Sequence, residues 1–135
     1  MTTQVTKLRS TTTGAATFST SGTCSVPPPS DTRRRFRWRD RGNDFARGMS
    51  LQPDGRIVVV GQSSSATVSD FGIARHLADG TLDAGFGDGG RLSVDFFGTA
   101  DGAKCVATQG DGKLVIAGLA TNGSSTGLGL VRLVP

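Results

Sequence analysis

The chain has 135 residues and a mass of 13.9 kDa, room for one small domain. All 11 acidic residues are Asp and 20 residues are Gly, a composition that favours turns and caps and excludes a helical bundle or coiled coil. The net charge of +4 is unevenly spread: residues 1–41 hold eight basic side chains against two acidic ones, whereas residues 42–135 hold seven against nine, so a nucleic-acid partner can be argued only from the N-terminal segment.

Residues 1–43 form a leader. Its first 32 positions carry 15 Ser or Thr and the run Pro27-Pro28-Pro29. Such a stretch buries too little apolar surface to offset chain entropy, so the reading is a disordered segment. Lys7 and Arg9 resemble the charged start of a signal peptide, but the Thr-rich sequence after them is too polar for the apolar core of one. Residues 33–41 read RRRFRWRDR, with six Arg in nine positions. Arg side chains on phosphates with Phe36 or Trp38 stacked on bases would make a nucleic-acid-binding tail, the alternative function for this chain. A solvated electrostatic tail explains the same run.

From about residue 44 short apolar stretches alternate with Asp-Gly and Gly-Gly turns. Strands are predicted over 46–52, 57–61, 70–77 and 91–96, then over 103–109, 113–117 and 128–134. Pro53-Asp54-Gly55-Arg56 joins the first two, with Pro fixing one dihedral and Gly accepting a positive one. Asp79-Gly80 is a further turn, and 82–90 a Gly-rich connection. No stretch of about 18 apolar residues exists, so no membrane-spanning helix is expected.

The chain repeats itself. Shifted by 57 with no gap, residues 44–77 match 101–134 at nine of 34 positions. The identities are Asp44/Asp101, Ala46/Ala103, Gln52/Gln109, Asp54/Asp111, Gly55/Gly112, Val58/Val115, Gly61/Gly118, Gly72/Gly129 and Arg75/Arg132. A fixed period of this size marks stacked or radial sheet units. The fold class is therefore all-β, with antiparallel repeats forming a partial β-propeller of about two incomplete four-stranded blades. The first repeat spans 44–100 and the second, truncated one 101–135. The repeat-defining positions are Asp54, Gly55, Gly61, Gly72, Arg75, Asp79, Gly80 and Asp83, then Asp111, Gly112, Gly118, Gly129 and Arg132.

These residues resemble the Delta-60 repeat, a bacterial β-propeller-like repeat. The resemblance rests on Gln52-Pro53-Asp54-Gly55-Arg56, Gly61, Arg75, Asp79-Gly80 followed by Leu82-Asp83, and Phe86-Gly87 with Gly89-Gly90, and covers about 44–134. It implies a large, often exported or cell-envelope protein built of many repeats, with no assigned catalytic residues and no cofactor. Under two repeats are present where a closed propeller needs about four or more blades, so the expectation is a fragment of a larger repeat protein, its leader read from a foreign frame.

No chemistry is legible. Ser69-Asp70-Phe71-Gly72 copies the metal-binding segment of kinases, but no strand Lys, catalytic loop or nucleotide lobe accompanies it. Gly85-Phe86-Gly87-Asp88-Gly89-Gly90 fits G-x-G-x-x-G but precedes a strand, not a helix. Five Asp-Gly pairs, at Asp54, Asp79, Asp88, Asp101 and Asp111, read as turn caps; weak Ca²⁺ binding would need six or more converging oxygens. Arg75 and Arg132 end equivalent strands and read as structural, paired with a turn Asp such as Asp83 or with strand-end carbonyls, in preference to ligand-facing. His76 is assigned nothing, and Cys105 a small buried place. Cys24 and Cys105 are too few for a disulfide scaffold and lack metal spacing. Asn122-Gly123-Ser124 is a glycosylation sequon by pattern alone. The chain is expected to be non-enzymatic, with no catalytic, cofactor or metal residues. Its expected partners are further β-repeats, or copies of itself joined through open sheet edges.

Overall fold

A computed structural model describes residues 43–134, and all of it is strand and turn. Residues 1–42 of the leader, including the Arg-rich run, lie outside the described residues. Seven strands follow one another: β1 (Phe45–Leu51), β2 (Ile57–Ser64), β3 (Ser69–His76), β4 (Arg91–Val94), β5 (Gly102–Thr108), β6 (Leu114–Asn122) and β7 (Ser125–Leu133). They form two antiparallel meanders, β1-β2-β3-β4 and β5-β6-β7. The division into four strands and three is the one the repeat predicts.

The two sheets follow the same path at equivalent positions. Gly55 and Gly112 take φ of 82° and 80°, and each accompanies the same pair of backbone hydrogen bonds, from Gln52 N to Arg56 O and from Gln109 N to Lys113 O. The first strand of each sheet carries a β-bulge at the same place, between Ala46 and Gly48 and between Ala103 and Cys105. The extra residue is basic both times, Arg47 and Lys104. Gly61 and Gly118 sit opposite these bulges, where the neighbouring backbone leaves no space for a side chain. A Cβ there would lie 1.8 Å from the Phe45 carbonyl oxygen in one sheet and 2.2 Å from the Gly102 carbonyl oxygen in the other.

Strand alternation sorts the residues into faces. One face of the first sheet presents Val58, Val60, Phe71, Ile73 and Val94; the second sheet lays Leu114, Ile116, Val131 and Leu133 against it, and all nine are buried. The Phe71 ring is the central knob. Its tip reaches where Gly118 and Gly129 lack side chains, within 2.8 and 3.0 Å of a Cβ built there, and Phe96 meets it edge-on at 5.0 Å. Strand β5 packs against β1, β2 and β3, with Ser50 and Thr108 hydroxyls bonded across the gap at 2.8 Å.

Three boundaries differ from the sequence reading. β4 stops at Val94 and not at 96, because the Asp95 carboxylate accepts hydrogen bonds from Phe97 N and Gly98 N and folds the chain into a turn. β2 continues to Ser64, closed by a four-residue loop with Ser65 N bonded to Val68 O. β6 and β7 run on to Asn122 and Ser125 through Ala120↔Gly127 and Thr121↔Thr126, ending in a two-residue Gly123-Ser124 turn with Gly123 at φ 58°.

Candidate functional site

The polar residues that recur between the copies converge on three structural features. The first is the Asp-Gly turn. The Asp54 carboxylate accepts from Arg56 N and pairs with the Arg56 guanidinium, and Asp111 does the same with Lys113. Asp79 accepts from Thr81 N at 2.8 Å and from the Thr81 hydroxyl. These donors hold the Asp54 and Asp111 carboxyls below the ordinary aspartate range, the main cause being the Arg56 backbone N–H for the first and the Lys113 ammonium for the second.

The second feature is a buried ion pair. Arg75, at the end of β3, places Nε 2.8 Å from the Asp83 carboxylate and its guanidinium 4.6 Å from the centre of the Phe86 ring. Asp83 also lies 3.2 Å from Arg56 Nε and accepts from Gly85 N. The pair ties the Gly-rich connection to the sheet, aided by Asp83 N donating to Arg75 O. Arg132, the equivalent side chain, is half exposed and donates to the Gln109 side chain, with Asp111 at 3.6 Å.

The third feature is the joint between the repeats. Asp101 is not a turn cap, as its Asp-Gly sequence suggests. It is 3% exposed, and its two carboxylate oxygens accept from Phe96 N at 2.8 Å and Thr121 N at 2.9 Å. Its own N–H donates to Ser69 O at 2.7 Å. One side chain thus fastens the exit of the first sheet to the middle strand of the second. Asp44 stands at the equivalent place and accepts from Ser64 N, the counterpart of Thr121 N, at 3.4 Å. The Asp44/Asp101 identity at the head of each repeat was the sequence signal for this joint.

Burial pushes the Asp101 carboxyl above the ordinary aspartate range; two N–H donors oppose the rise, and the Asp95 and Asp70 carboxylates add to it. Because its folded value exceeds its unfolded one, the folded chain holds this proton more tightly. The resulting stabilisation is present below the unfolded value and is lost as pH rises through the folded one. Asp54 and Asp111 work the other way, stabilising above their unfolded values and losing that contribution as pH falls through their folded ones. Asp101→Asn keeps one acceptor oxygen and sets an amide NH₂ against a backbone N–H. The expected cost at neutral pH is about 2 kcal/mol, read as a lower urea midpoint, and the Asp101 component of the pH profile should vanish.

The remaining sequence candidates resolve into packing and turns. Phe71 of the kinase-like segment lies in the core of a strand, and Asp70 accepts from the Ser93 hydroxyl at 3.1 Å. The G-x-G-x-x-G segment is a turn with positive φ at Gly87, Gly89 and Gly90, followed directly by β4. His76 is buried, with Nδ1 3.1 Å from the Gly80 carbonyl oxygen. Cys105 is half-buried, more open than expected, because it stands on the outer side of the second sheet. Cys24 lies outside the described residues. Among the described residues no three His, Cys or Asp side chains come together as metal ligands, and no helix is long and apolar enough to cross a membrane.

Two segments of the chain, residues 52–86 and 109–135, match a family described as a domain of unknown function (DUF5122) beta-propeller. No curated protein and no solved structure matches. The matched segments carry the equivalent Asp-Gly turns, the close-approach glycines and the strand-ending arginines in equivalent places. Residues 52–86 and 109–135 are each similar to a β-propeller-type repeat.

Proposed function

We propose that the chain is a non-catalytic repeat module of the Delta-60 kind, a portion of a larger repeat protein that serves as scaffold and protein-interaction surface. The observation that carries this is the fate of the recurring polar residues. Asp44 and Asp101 hold N–H groups of the middle strands, Asp54 and Asp111 cap turns, and Arg75 is consumed by Asp83. What recurs between the repeats is thus spent on holding sheets.

Stability of such modules grows with the number of stacked units. Completing the second repeat with residues 78–100 and adding a further copy of 44–100 is expected to raise the urea midpoint above that of the parent chain. A midpoint that stays the same or falls would overturn the repeat-module reading.

A further inference from the structure

In the first sheet, residues 77–96 complete what β3 begins. β4 lies along the outer edge of β3, with Leu92 opposite Ile73 and Val94 opposite Phe71. The connection before it returns to the end of the same strand. Gly90 O accepts from Arg75 N, and Asp83 N donates to Arg75 O. The Asp83 carboxylate and the Phe86 ring hold the Arg75 guanidinium between them, and Arg56 Nε lies 3.2 Å from the same carboxylate. Phe71, Ile73 and Arg75 are all buried.

β7 offers the same three positions uncovered. It ends its sheet, with β6 on one side and no strand on the other among the described residues. Leu128, Leu130 and Arg132 stand where Phe71, Ile73 and Arg75 stand, but Leu128 is 42% exposed and the Arg132 side chain 48%. Arg132 lies opposite Val115 as Arg75 lies opposite Val58, so its N–H and carbonyl face the open edge, as those of Arg75 face Gly90 and Asp83. Lys113 holds the place of Arg56. Among the described residues no counterpart of Asp83 reaches these two cations, and they turn to their own hairpin: Lys113 pairs with Asp111, and Arg132 donates from Nε to Gln109, with Asp111 3.6 Å from Nη2. In the first repeat the same Nε is committed to Asp83, and the buried Oε1 of Gln52, the counterpart of Gln109, has no hydrogen-bond partner. The Gln109 contact is therefore the arrangement that an incoming carboxylate replaces.

We propose that the outer edge of β7 is a docking site for a segment of a further repeat, an apolar strand preceded by an Asp-x-x-Phe loop, whose Asp is received by Arg132 and Lys113. Charge complementarity names this occupant: two cations stand at the edge, at the places that in the first repeat hold the Asp83 carboxylate. The apolar side chains agree, since Leu128, beside Leu119 across β6, is open where Phe71 has Val94 opposite and Phe96 edge-on. In such strand addition the main-chain bonds supply affinity, and the Arg–Asp pair fixes the register. The inference rests on the repeat-module reading and names the segment that the partner of that module presents.

The test adds a fluorescein-labelled peptide of residues 77–96 to the full chain and follows fluorescence anisotropy. Saturable 1:1 binding is expected. Arg132→Ala in the chain and Asp83→Ala in the peptide should each weaken it at least about tenfold, because the pair becomes buried on docking, and the two changes together should cost little more than either alone. Arg47→Ala, which removes an exposed cation from β1, should leave the affinity unchanged, and amide exchange should slow along β7. Arg132→Gln repeats the measurement should Arg132→Ala lose its β-sheet circular dichroism. Absence of saturable binding overturns the proposal. So does binding that the Arg132 variants leave intact: the peptide carries four Asp against one Arg, and such binding is attraction to the Arg-rich run at 33–41. Equal binding of a scrambled peptide, or losses that add in full, overturn it as well. Any of these outcomes alongside a urea midpoint that rises with added repeats leaves the module reading standing.

Discussion

Phe71→Ala is expected to destabilise the chain by about 3–5 kcal/mol, while Leu128→Ala, at the equivalent position of the second repeat, should cost well under half of that. Phe71 is wholly buried, fills the space left by Gly118 and Gly129, and stacks edge-on with Phe96. Truncation empties a volume bounded by backbone, which cannot collapse inward because strand β6 is already held at close approach to β5. Leu128 stands on the open face, so its removal forfeits little packing. Urea titration of both variants at a concentration where the chain is monomeric measures the contrast. Equal losses would mean that the two sheets are not packed in the order described.

The second large effect concerns the buried ion pair. Asp83→Ala strands the Arg75 guanidinium, whose side chain is 5% exposed, without its carboxylate. The expected loss is about 3–5 kcal/mol, since an uncompensated buried charge costs far more than the pair contributes. Joint replacement, Arg75→Met with Asp83→Leu, should recover most of the loss because two apolar side chains need no partner. Arg132→Ala, at an exposed pair, should cost below about 1 kcal/mol. Thermal melting of these three variants, with Arg75→Met and Asp83→Leu also made singly, gives the comparison. Additive losses in the double variant would show that the two side chains do not act on each other.

Seven strands and their grouping were legible because turn chemistry in this chain is local. Pro53-Asp54-Gly55, Asp79-Gly80 and Asp111-Gly112 announce themselves by residue type. Of the two structural partners open to Arg75 from its residue type, a turn Asp such as Asp83 or strand-end carbonyls, the structure has the first. Asp101 was misread because an Asp-Gly pair looks the same whether its carboxylate faces water or reaches two N–H groups from other strands. The long β6–β7 hairpin escaped because Thr121, Gly127 and Thr126 carry no apolar alternation; cross-strand pairing holds them. Both bulges were invisible for a related reason, since register belongs to a pair of strands and not to either alone.

Those bulges have a consequence for solubility. β1 and β5 each form one edge of their sheet, and each breaks its ladder with one extra residue that is Arg in one case and Lys in the other. An interrupted, twisted border with a cation on it is a poor template for a strand from another molecule, since added pairing would meet a gap in the hydrogen-bond row and like charge on the incoming edge. Fibril growth along these borders is thereby disfavoured.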